Sequence, residues 1–447
     1  MTNEKYGLIG KTLVHSYSKE IHEALGRYQY QLFSLAENEM PDFINARDFR
    51  GLNVTIPYKK DVIPLCDEVT DLARGIGAVN TLFWKNASGT GSSESITQEE
   101  KILGGHNTDY EGFLYAASRA GIDFDGKGVL ILGTGGTSLM ARRAAADQNA
   151  AKIYIASRHP ETDPPSGSEI QDAGILSTVS YDQLPEIADS IDVIVNTTPV
   201  GTFPNNMQQV IRLKDFPGCQ AVIDVIYNPF KTALLLEAEK LGLKYTNGLP
   251  MLVAQATAAA GYFLGTPGAF QKENQRIIKA MKQQMGNIVL IGMPGTGKSI
   301  IGKLLAELTG KTLQDTDARI EEEAKMTIPE IFEKEGEAGF RDRESAICKK
   351  LGKERNLIIA TGGGAILRPE NVDALRQNGT LVHITRSIDK LPTRGRPLSQ
   401  NIETLKKMEA QRMPLYKAAA DITFRNNYTC SRKKLRQRVN TYILEKL

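Results

Sequence analysis

Apolar positions along this chain fall into short runs of strand length, separated by longer stretches in which they recur with helical spacing, and the two kinds alternate almost throughout. Such alternation predicts parallel sheets covered by helices, the α/β class. KYGLIG, GVLILG, AKIYIAS, DVIVNTT, AVIDVIY, NIVLIG, NLIIATG and TLVHIT are the clearest strands, most of them closing on Gly, Asn or Thr. Ligands of open parallel sheets sit beyond such C-terminal ends, so the functional residues are expected there.

At 447 residues the chain is long enough for two or three domains. The charged helical stretch QKENQRIIKAMKQQMGN follows GTPGAF and stops at Gly286 before a fresh strand, which marks the main boundary. A softer division falls at GIDFDGK, Gly121 to Lys127, just ahead of a strand, turn and helix signal. The expected first domain is residues 1–280: a substrate lobe of about 1–110 plus helices from about 240–280, and a nucleotide lobe of about 120–240. The expected second domain is residues 287–447. Asn86 to Gln98, rich in Ser and Gly, reads as a hairpin tip.

Composition, at 41% hydrophobic and 24% charged, excludes a fibrous or mostly disordered chain. No run approaches the roughly 18 to 20 apolar residues of a membrane-spanning helix, and MTNEKYGLIG lacks the apolar core of a signal peptide. A cytoplasmic protein without membrane contact is expected. Cys66, Cys219, Cys348 and Cys430 are too dispersed for a CxxC metal pair or a disulfide framework, and are expected as reduced thiols. Charge is unevenly spread: from Asn287 onward there are 29 Lys and Arg against 20 Asp and Glu, and before it 26 against 32. A basic second half suits a polyanionic small ligand or nucleic acid. Its most basic run, SRKKLRQR, has no interleaved aromatics for base stacking, so it reads as a solvated helix face and no nucleic-acid partner is expected.

GVLILGTGGTSLMARRAAA reads as strand, glycine turn and helix, with Gly133, Gly135 and Gly136 able to bring a pyrophosphate against amides at a helix N-terminus. The third fingerprint position is Ser138 rather than Gly, and a purely structural turn is the competing reading. The next strand ends on Ser157 and Arg158 instead of the acidic residue that grips an NAD ribose, and a guanidinium there can pair with a 2′-phosphate. NADP is therefore preferred over NAD.

Ahead of that turn, HSYSKEIH, GLNVTIPYKK, GAVNT and GGHNTDYEG interrupt otherwise apolar segments. Ser16 and Ser18 are two apart, so an extended segment would turn both hydroxyls one way. Asn53, Thr55, Lys59, Asn80 and Asp109 add amide, hydroxyl, ammonium and carboxylate groups suited to a polyhydroxylated acid. Together with GLIG, GTGG, DxxYxPxxT (Asp224 to Thr232) and NGxxMLxxQ (Asn247 to Gln255), these clusters resemble shikimate dehydrogenase over residues 1 to about 270. The resemblance implies Lys59 and Asp109 as the catalytic pair. It also implies Ser16, Ser18, Thr55, Asn80, Tyr227 and Gln255 as contacts to 3-dehydroshikimate and shikimate. Hydride delivery to a ketone develops negative charge on oxygen, which an ammonium stabilises and a proton neutralises, and either Lys59 or Asp109 could transfer that proton. Two positions depart from the family pattern: Lys19 stands where Pro is usual, and Ser157-Arg158-His159 where Asn-Arg-Thr is usual. An NAD-using quinate/shikimate dehydrogenase is the nearest alternative.

NIVLIGMPGTGKSIIGKLL is a complete P-loop: Gly292, Gly295 and Gly297 form the turn, Lys298 reaches the ATP phosphates and Ser299 can ligate Mg2+. There is no NKxD guanine-reading motif and too little chain for a motor, so LQDTDARI, AGFRDRES, IIATGGGAI and LPTRGRPL point to a small-molecule kinase. Asp315 and Asp317 would alternate onto one face of a strand end, one toward Mg2+ and one toward a substrate hydroxyl. Arg341 offers a fork for a carboxylate, and Gly362, Gly363 and Gly364 allow close approach to backbone amides. Arg394 and Arg396 suit a lid. DxD, FRxxE, GGG and RPL in this order resemble shikimate kinase over residues 287 to about 447. The resemblance implies Asp317, Arg341 and Gly363 on shikimate, and Asp315 or Ser299 on Mg2+. It further implies Lys298 and Arg396 on phosphates and Arg412 on the substrate carboxylate, with Lys298 and Asp317 catalytic. The combined expectation is two consecutive reactions in one chain, using NADP(H), ATP and Mg2+; a non-catalytic shikimate-binding sensor is the alternative from another class.

Overall fold

The computed structural model describes residues 5–13, 16–86, 101–162, 174–391, 402–427 and 431–447. The chain divides into two compact units, Met1–Thr202 with Gln208–Ala280, and Phe203–Met207 with Met281–Leu447. The described residues form three sheets, two in the first unit and one in the second.

The first sheet contains β1 (Tyr6–Gly10), β2 (Tyr30–Ser34), β3 (Gly51–Val54), β4 (Glu68–Val69), β5 (Thr81–Asn86) and β6 (Lys101–His106), in the order β2-β1-β3-β5-β6-β4. β1 runs parallel to β2 and β3, but β5 is antiparallel to both β3 and β6. This sheet is therefore mixed rather than parallel, because apolar runs locate strands without fixing their direction. Asn86, the first residue of the expected Asn86–Gln98 tip, still belongs to β5 and pairs with Lys101 in the β5–β6 hairpin, and the rest of that tip lies outside the described residues.

The second sheet holds β7 (Gly128–Leu132), β8 (Lys152–Ser157), β9 (Leu176–Ser180), β10 (Val193–Asn196), β11 (Ala221–Asp224) and β12 (Lys244–Thr246), all parallel, in the order β12-β11-β10-β7-β8-β9. The chain passes from one side of β7 to the other between β9 and β10. The crevice beyond β7 and β10 is thus the topological switch point at which such sheets bind dinucleotides. Helix Gly248–Phe263, apolar on nearly all sides, then packs against helix Asp109–Arg119. Gly112 makes this approach possible, since a Cβ there would lie 2.6 Å from the Met251 carbonyl.

The second unit is built on a parallel sheet of β13 (Asn287–Ile291), β14 (Thr312–Asp315), β15 (Leu357–Ala360), β16 (Gly379–Thr385) and β17 (Ile422–Arg425), in the order β14-β15-β13-β16-β17. Alternate residues of β13 serve opposite faces: Val289 and Ile291 join one core with Ile359, Ile288 and Leu290 the other with Ile358. The P-loop connects β13 to helix Lys298–Thr309 between β15 and β16, again at a switch point. No described helix is long and apolar enough to cross a membrane. Cys66, Cys219 and Cys348 are free thiols, and Cys430 lies outside the described residues.

Candidate active sites

A cavity of about 380 Å³ in the first unit is lined by Ser16, Ser18, Thr55, Lys59, Asn80, Asp109, Tyr227 and Gln255, and also by Thr137 from the first turn of the helix after β7. The structure thus gathers these scattered polar groups beside the glycine turn. Lys59 lies in the turn after β3, its carbonyl accepting from Val79 N at 2.8 Å, and Asp109 opens helix Asp109–Arg119. Their side chains meet, Lys59 Nζ donating to Asp109 Oδ2 at 2.6 Å with both groups largely buried. A charge-assisted bond this short fixes the ammonium at the cavity wall.

Ser18 does not continue an extended segment: it begins helix Ser18–Glu23, and Ser16 Oγ accepts from Ser18 N at 3.2 Å. A local hydroxyl-to-backbone turn, rather than strand alternation, brings the two serines to one cavity. Tyr227 is carried on a bracketed loop. Asp224 at the end of β11 accepts from Thr232 Oγ1 at 2.6 Å, Asn196 Nδ2 at 3.1 Å and Ile226 N at 3.1 Å, and Thr232 caps helix Ala233–Lys240. Burial pushes the Asp224 carboxyl up to about 6, against the pull of these three donors. Gln255 sits on helix Gly248–Phe263, which Asn247 caps by accepting from Leu249 N at 3.0 Å.

Gly133 adopts φ +99°, which a side chain would strain, and Gly135 and Gly136 open helix Gly136–Asp147. Among the described residues, chain neighbours and the helix's own backbone aside, no atom lies within 4 Å of where side chains on Gly135 and Gly136 would project, so an anion can reach the helix N-terminus from that side. Ser138, in place of the third fingerprint glycine, is buried and accepts from Arg142 Nε at 3.2 Å. At the end of β8, Ser157 Oγ accepts from His159 N at 2.9 Å. Arg158 is exposed there and makes no side-chain hydrogen bond or ion pair among the described residues. A pyrophosphate at the glycine turn and a 2′-phosphate at Arg158 fit this set of donors.

In the second unit a cavity of about 650 Å³ is lined by Gly295, Gly297, Lys298, Ser299, Asp315, Asp317, Arg341, Gly363 and Arg412. Lys298 Nζ donates to the Gly292 carbonyl at 2.7 Å and the Met293 carbonyl at 3.1 Å. Gly297 has φ +96° and a Cβ there would lie 2.5 Å from Asn426 Nδ2, which donates to the Thr296 carbonyl at 2.7 Å. Ser299 Oγ donates to Asp315 Oδ2 at 3.2 Å. Among the described residues no cluster of three His, Cys, Asp or Glu side chains could hold a metal alone. A Mg2+ ion at Ser299 and Asp315 would complete its shell with phosphate oxygens, as suits that cation.

The expected strand alternation of Asp315 and Asp317 is absent. β14 ends at Asp315, which caps helix Thr316–Ala324 by accepting from Asp317 N at 3.1 Å, and this cap brings both carboxylates to the cavity. Burial first, then the charges of Asp315 and Glu344, push the Asp317 carboxyl up to about 6. Arg341 is held by two glutamates, Nη1 donating to Glu344 Oε2 at 2.7 Å and Nη2 to Glu337 Oε1 at 3.1 Å. The glycine triplet has protein neighbours of its own: side chains there would strike Asp317 and Glu344 from Gly362, Pro294 from Gly363 and the Arg341 guanidinium from Gly364. Arg412 Nη1 at 2.9 Å and the Tyr416 hydroxyl at 2.6 Å both donate to the Gly363 carbonyl.

Glu344, Tyr416 and Arg386 also belong to this site and were not singled out from the sequence. Glu344 had a signal, the FRxxE spacing that sets it one helical turn from Arg341; Tyr416 and Arg386 had none. Arg394 and Arg396 lie outside the described residues.

A switch-point crevice beside a lysine–aspartate pair defines a dinucleotide-dependent oxidoreductase, and a P-loop facing carboxylates and arginines defines a phosphotransferase. The family model for the shikimate dehydrogenase substrate binding domain matches residues 8–82, and that for shikimate kinase matches residues 294–447. Shikimate dehydrogenase (NADP(+)) of Clostridium perfringens strain SM101 is 34% identical over 262 residues, covering 57% of this chain and 90% of that one. Shikimate kinase of Nitrosomonas europaea is 48% identical over 145 residues, covering 31% of this chain and 69% of that one. The crystal structure of shikimate 5-dehydrogenase from Thermus thermophilus in complex with NADP(H) and shikimate aligns with a TM-score of 0.51 at 28% identity, covering 62% of this chain and 99% of that one. The chain belongs to the shikimate dehydrogenase family in its first part and to the shikimate kinase family in its second.

Proposed function

We propose that this chain is a bifunctional enzyme in which residues 1–280 reduce 3-dehydroshikimate to shikimate and residues 287–447 phosphorylate shikimate to shikimate 3-phosphate. The observation that carries the first assignment is the Lys59–Asp109 contact at 2.6 Å, in the same cavity as hydroxyl and amide groups suited to a hydroxylated ring acid. Ser16, Ser18, Thr55, Asn80, Tyr227 and Gln255 bind and orient the ring. Lys59 stabilises the oxygen that gains charge during reduction, and Asp109 keeps Lys59 in place. NADPH held by Gly133, Gly135, Gly136 and Arg158 supplies the hydride.

In the second cavity Arg341, Gly363 and Arg412 orient the acid, and Asp317 accepts the proton of the attacking hydroxyl. A carboxyl raised to about 6 is ionised at neutral pH yet basic enough for that task. Lys298 stabilises charge on the phosphates, Ser299 and Asp315 hold the metal, and ATP with Mg2+ supplies the phosphoryl group.

The test is a coupled assay of wild type, Lys59→Ala and Lys298→Ala with 3-dehydroshikimate, NADPH and ATP. Lys59→Ala is expected to lose reduction and still phosphorylate added shikimate, and Lys298→Ala to do the reverse. Wild-type protein that binds shikimate yet consumes neither NADPH nor ATP would overturn the reading in favour of a sensor.

A further inference from the structure

From the wall of the reductase cavity, where Asn53 and Asn80 line it, a chain of buried polar side chains runs into the interior. Tyr30, Asn53, Asn80, Thr81 and Thr108 are each less than 5% exposed. Two backbone groups fix the orientation of both carboxamides. The Thr108 N–H can only donate, so the Asn80 atom 2.7 Å from it is the carboxamide oxygen. The Asn80 carbonyl can only accept, so the Asn53 atom 3.2 Å from it is Nδ2, which leaves Asn53 Oδ1 to accept from the Tyr30 hydroxyl at 2.8 Å. Asn53 Nδ2 also donates to Thr81 Oγ1 at 3.3 Å, and the Thr81 hydroxyl donates to Asn80 Oδ1 at 2.9 Å. Thr108 Oγ1 lies 2.9 Å from Thr81 Oγ1 and also donates to Asn80 Oδ1 at 3.2 Å.

We infer that Thr81 is a positioning residue for substrate binding in the reductase half, its hydroxyl holding the Asn80 oxygen inward so that the Asn80 N–H groups are presented to the cavity. This rests on the proposed reductase function. Thr81 does not line the cavity, whereas Asn80 does. The arrangement makes Asn80 a donor that reads an acceptor oxygen on the substrate. Without the Thr81 hydroxyl the Asn80 oxygen keeps the Thr108 N–H and Oγ1 as donors but loses its third restraint, so the carboxamide is aimed less sharply at the substrate oxygen.

The experiment is steady-state oxidation of shikimate by the full chain, with KM measured separately for shikimate and NADP+. Thr81→Val, of nearly the same shape, is expected to raise the shikimate KM about tenfold with the NADP+ KM unchanged, as loss of one well-aimed hydrogen bond predicts. Thr81→Ser, which keeps the hydroxyl, is expected to restore it. In an Asn80→Ala background Thr81→Val should add no further penalty, because the group it aims is gone. A wild-type KM in Thr81→Val, a Thr81→Ser variant as impaired as the valine, or a full additive penalty in the Asn80→Ala background would each overturn the inference. Should Thr81→Val not fold, Thr81→Ala is compared with Thr81→Ser, and an equal shikimate KM in the two overturns it. Absence of shikimate oxidation by the wild type would instead overturn the functional reading, and the inference with it.

Discussion

Asp317 and Glu344 aim at one point: a side chain on Gly362 would lie 2.6 Å from Asp317 Oδ1 and 2.7 Å from Glu344 Oε1. Both oxygens are buried without a hydrogen-bond partner among the described residues, and burial raises both carboxyls above their ordinary range. Two unsatisfied acceptors converging in a cavity make a place for a hydroxyl donor. Gly362→Ala sets a methyl group on that place. Phosphorylation of shikimate should fall about tenfold or more while shikimate oxidation is unchanged, as separate assays of ADP and NADPH formation would reveal. Wild-type phosphorylation in this variant would mean that the two carboxylates have room to move aside.

Arg158 stands exposed at the end of β8, where the ribose of a bound dinucleotide lies in sheets of this order. A charge-assisted pair with a 2′-phosphate contributes about 1.5–3 kcal/mol. Arg158→Gln should therefore raise the NADP+ KM about 10- to 100-fold and leave that for NAD+ within a small factor. Equal effects on the two cofactors would place the 2′-phosphate elsewhere.

Asp224 makes the stability of the first unit depend on pH. Its carboxyl is raised from 3.8 to about 6 by burial, so the folded form holds a proton that the unfolded chain releases at lower pH. The stability contributed is full below about pH 4 and is lost as pH rises through about 6. Asp224→Asn cannot ionise and lacks this slope. Wild-type stability minus that of the variant should fall by up to about 3 kcal/mol between pH 4 and 7. Trp84, the sole tryptophan, reports unfolding of this unit by fluorescence. A difference independent of pH would contradict the expectation.

Gly112 is the contact point of two helices that both serve the dehydrogenase cavity. A methyl group there meets the Met251 carbonyl at 2.6 Å and Gln255 Cβ at 3.0 Å. Gly112→Ala is expected to cost about 1–3 kcal/mol in the denaturation followed by Trp84, and to raise the shikimate KM in oxidation while phosphorylation holds. Unaltered stability would mean that the helices can slide apart freely.

Sequence patterns located most of these groups, and several for the wrong geometric reason. Ser16 and Ser18, like Asp315 and Asp317, share a cavity as expected, yet in each pair the second residue is already helical and a side-chain-to-backbone bond folds the chain between them. Two-residue spacing is read as strand alternation unless the cap is recognised, and a cap depends on which oxygen finds which amide. The glycine triplet suggested close approach by a ligand; it lines the cavity, and the side chains of Asp317, Glu344, Pro294 and Arg341, from segments distant in the chain, also press against these glycines. Tyr30 carried no signal at all, since a tyrosine in an apolar strand looks like any core residue until its hydroxyl is seen to reach Asn53. The antiparallel β5 was hidden for the same reason, direction being a property of tertiary pairing.

Helix Gly248–Phe263 supplies Gly248, Met251, Leu252 and Gln255 to a cavity whose other walls come from earlier in the same unit, from Leu8 to Tyr227. During synthesis, both reductase lobes can therefore emerge from the ribosome before the chamber between them has its final wall. A nascent or truncated polypeptide ending before residue 248 would keep the lysine, the aspartate and the glycine turn, yet present them in an open trough. Dehydrogenase competence is therefore expected only once residues 248–263 have been added to the chain.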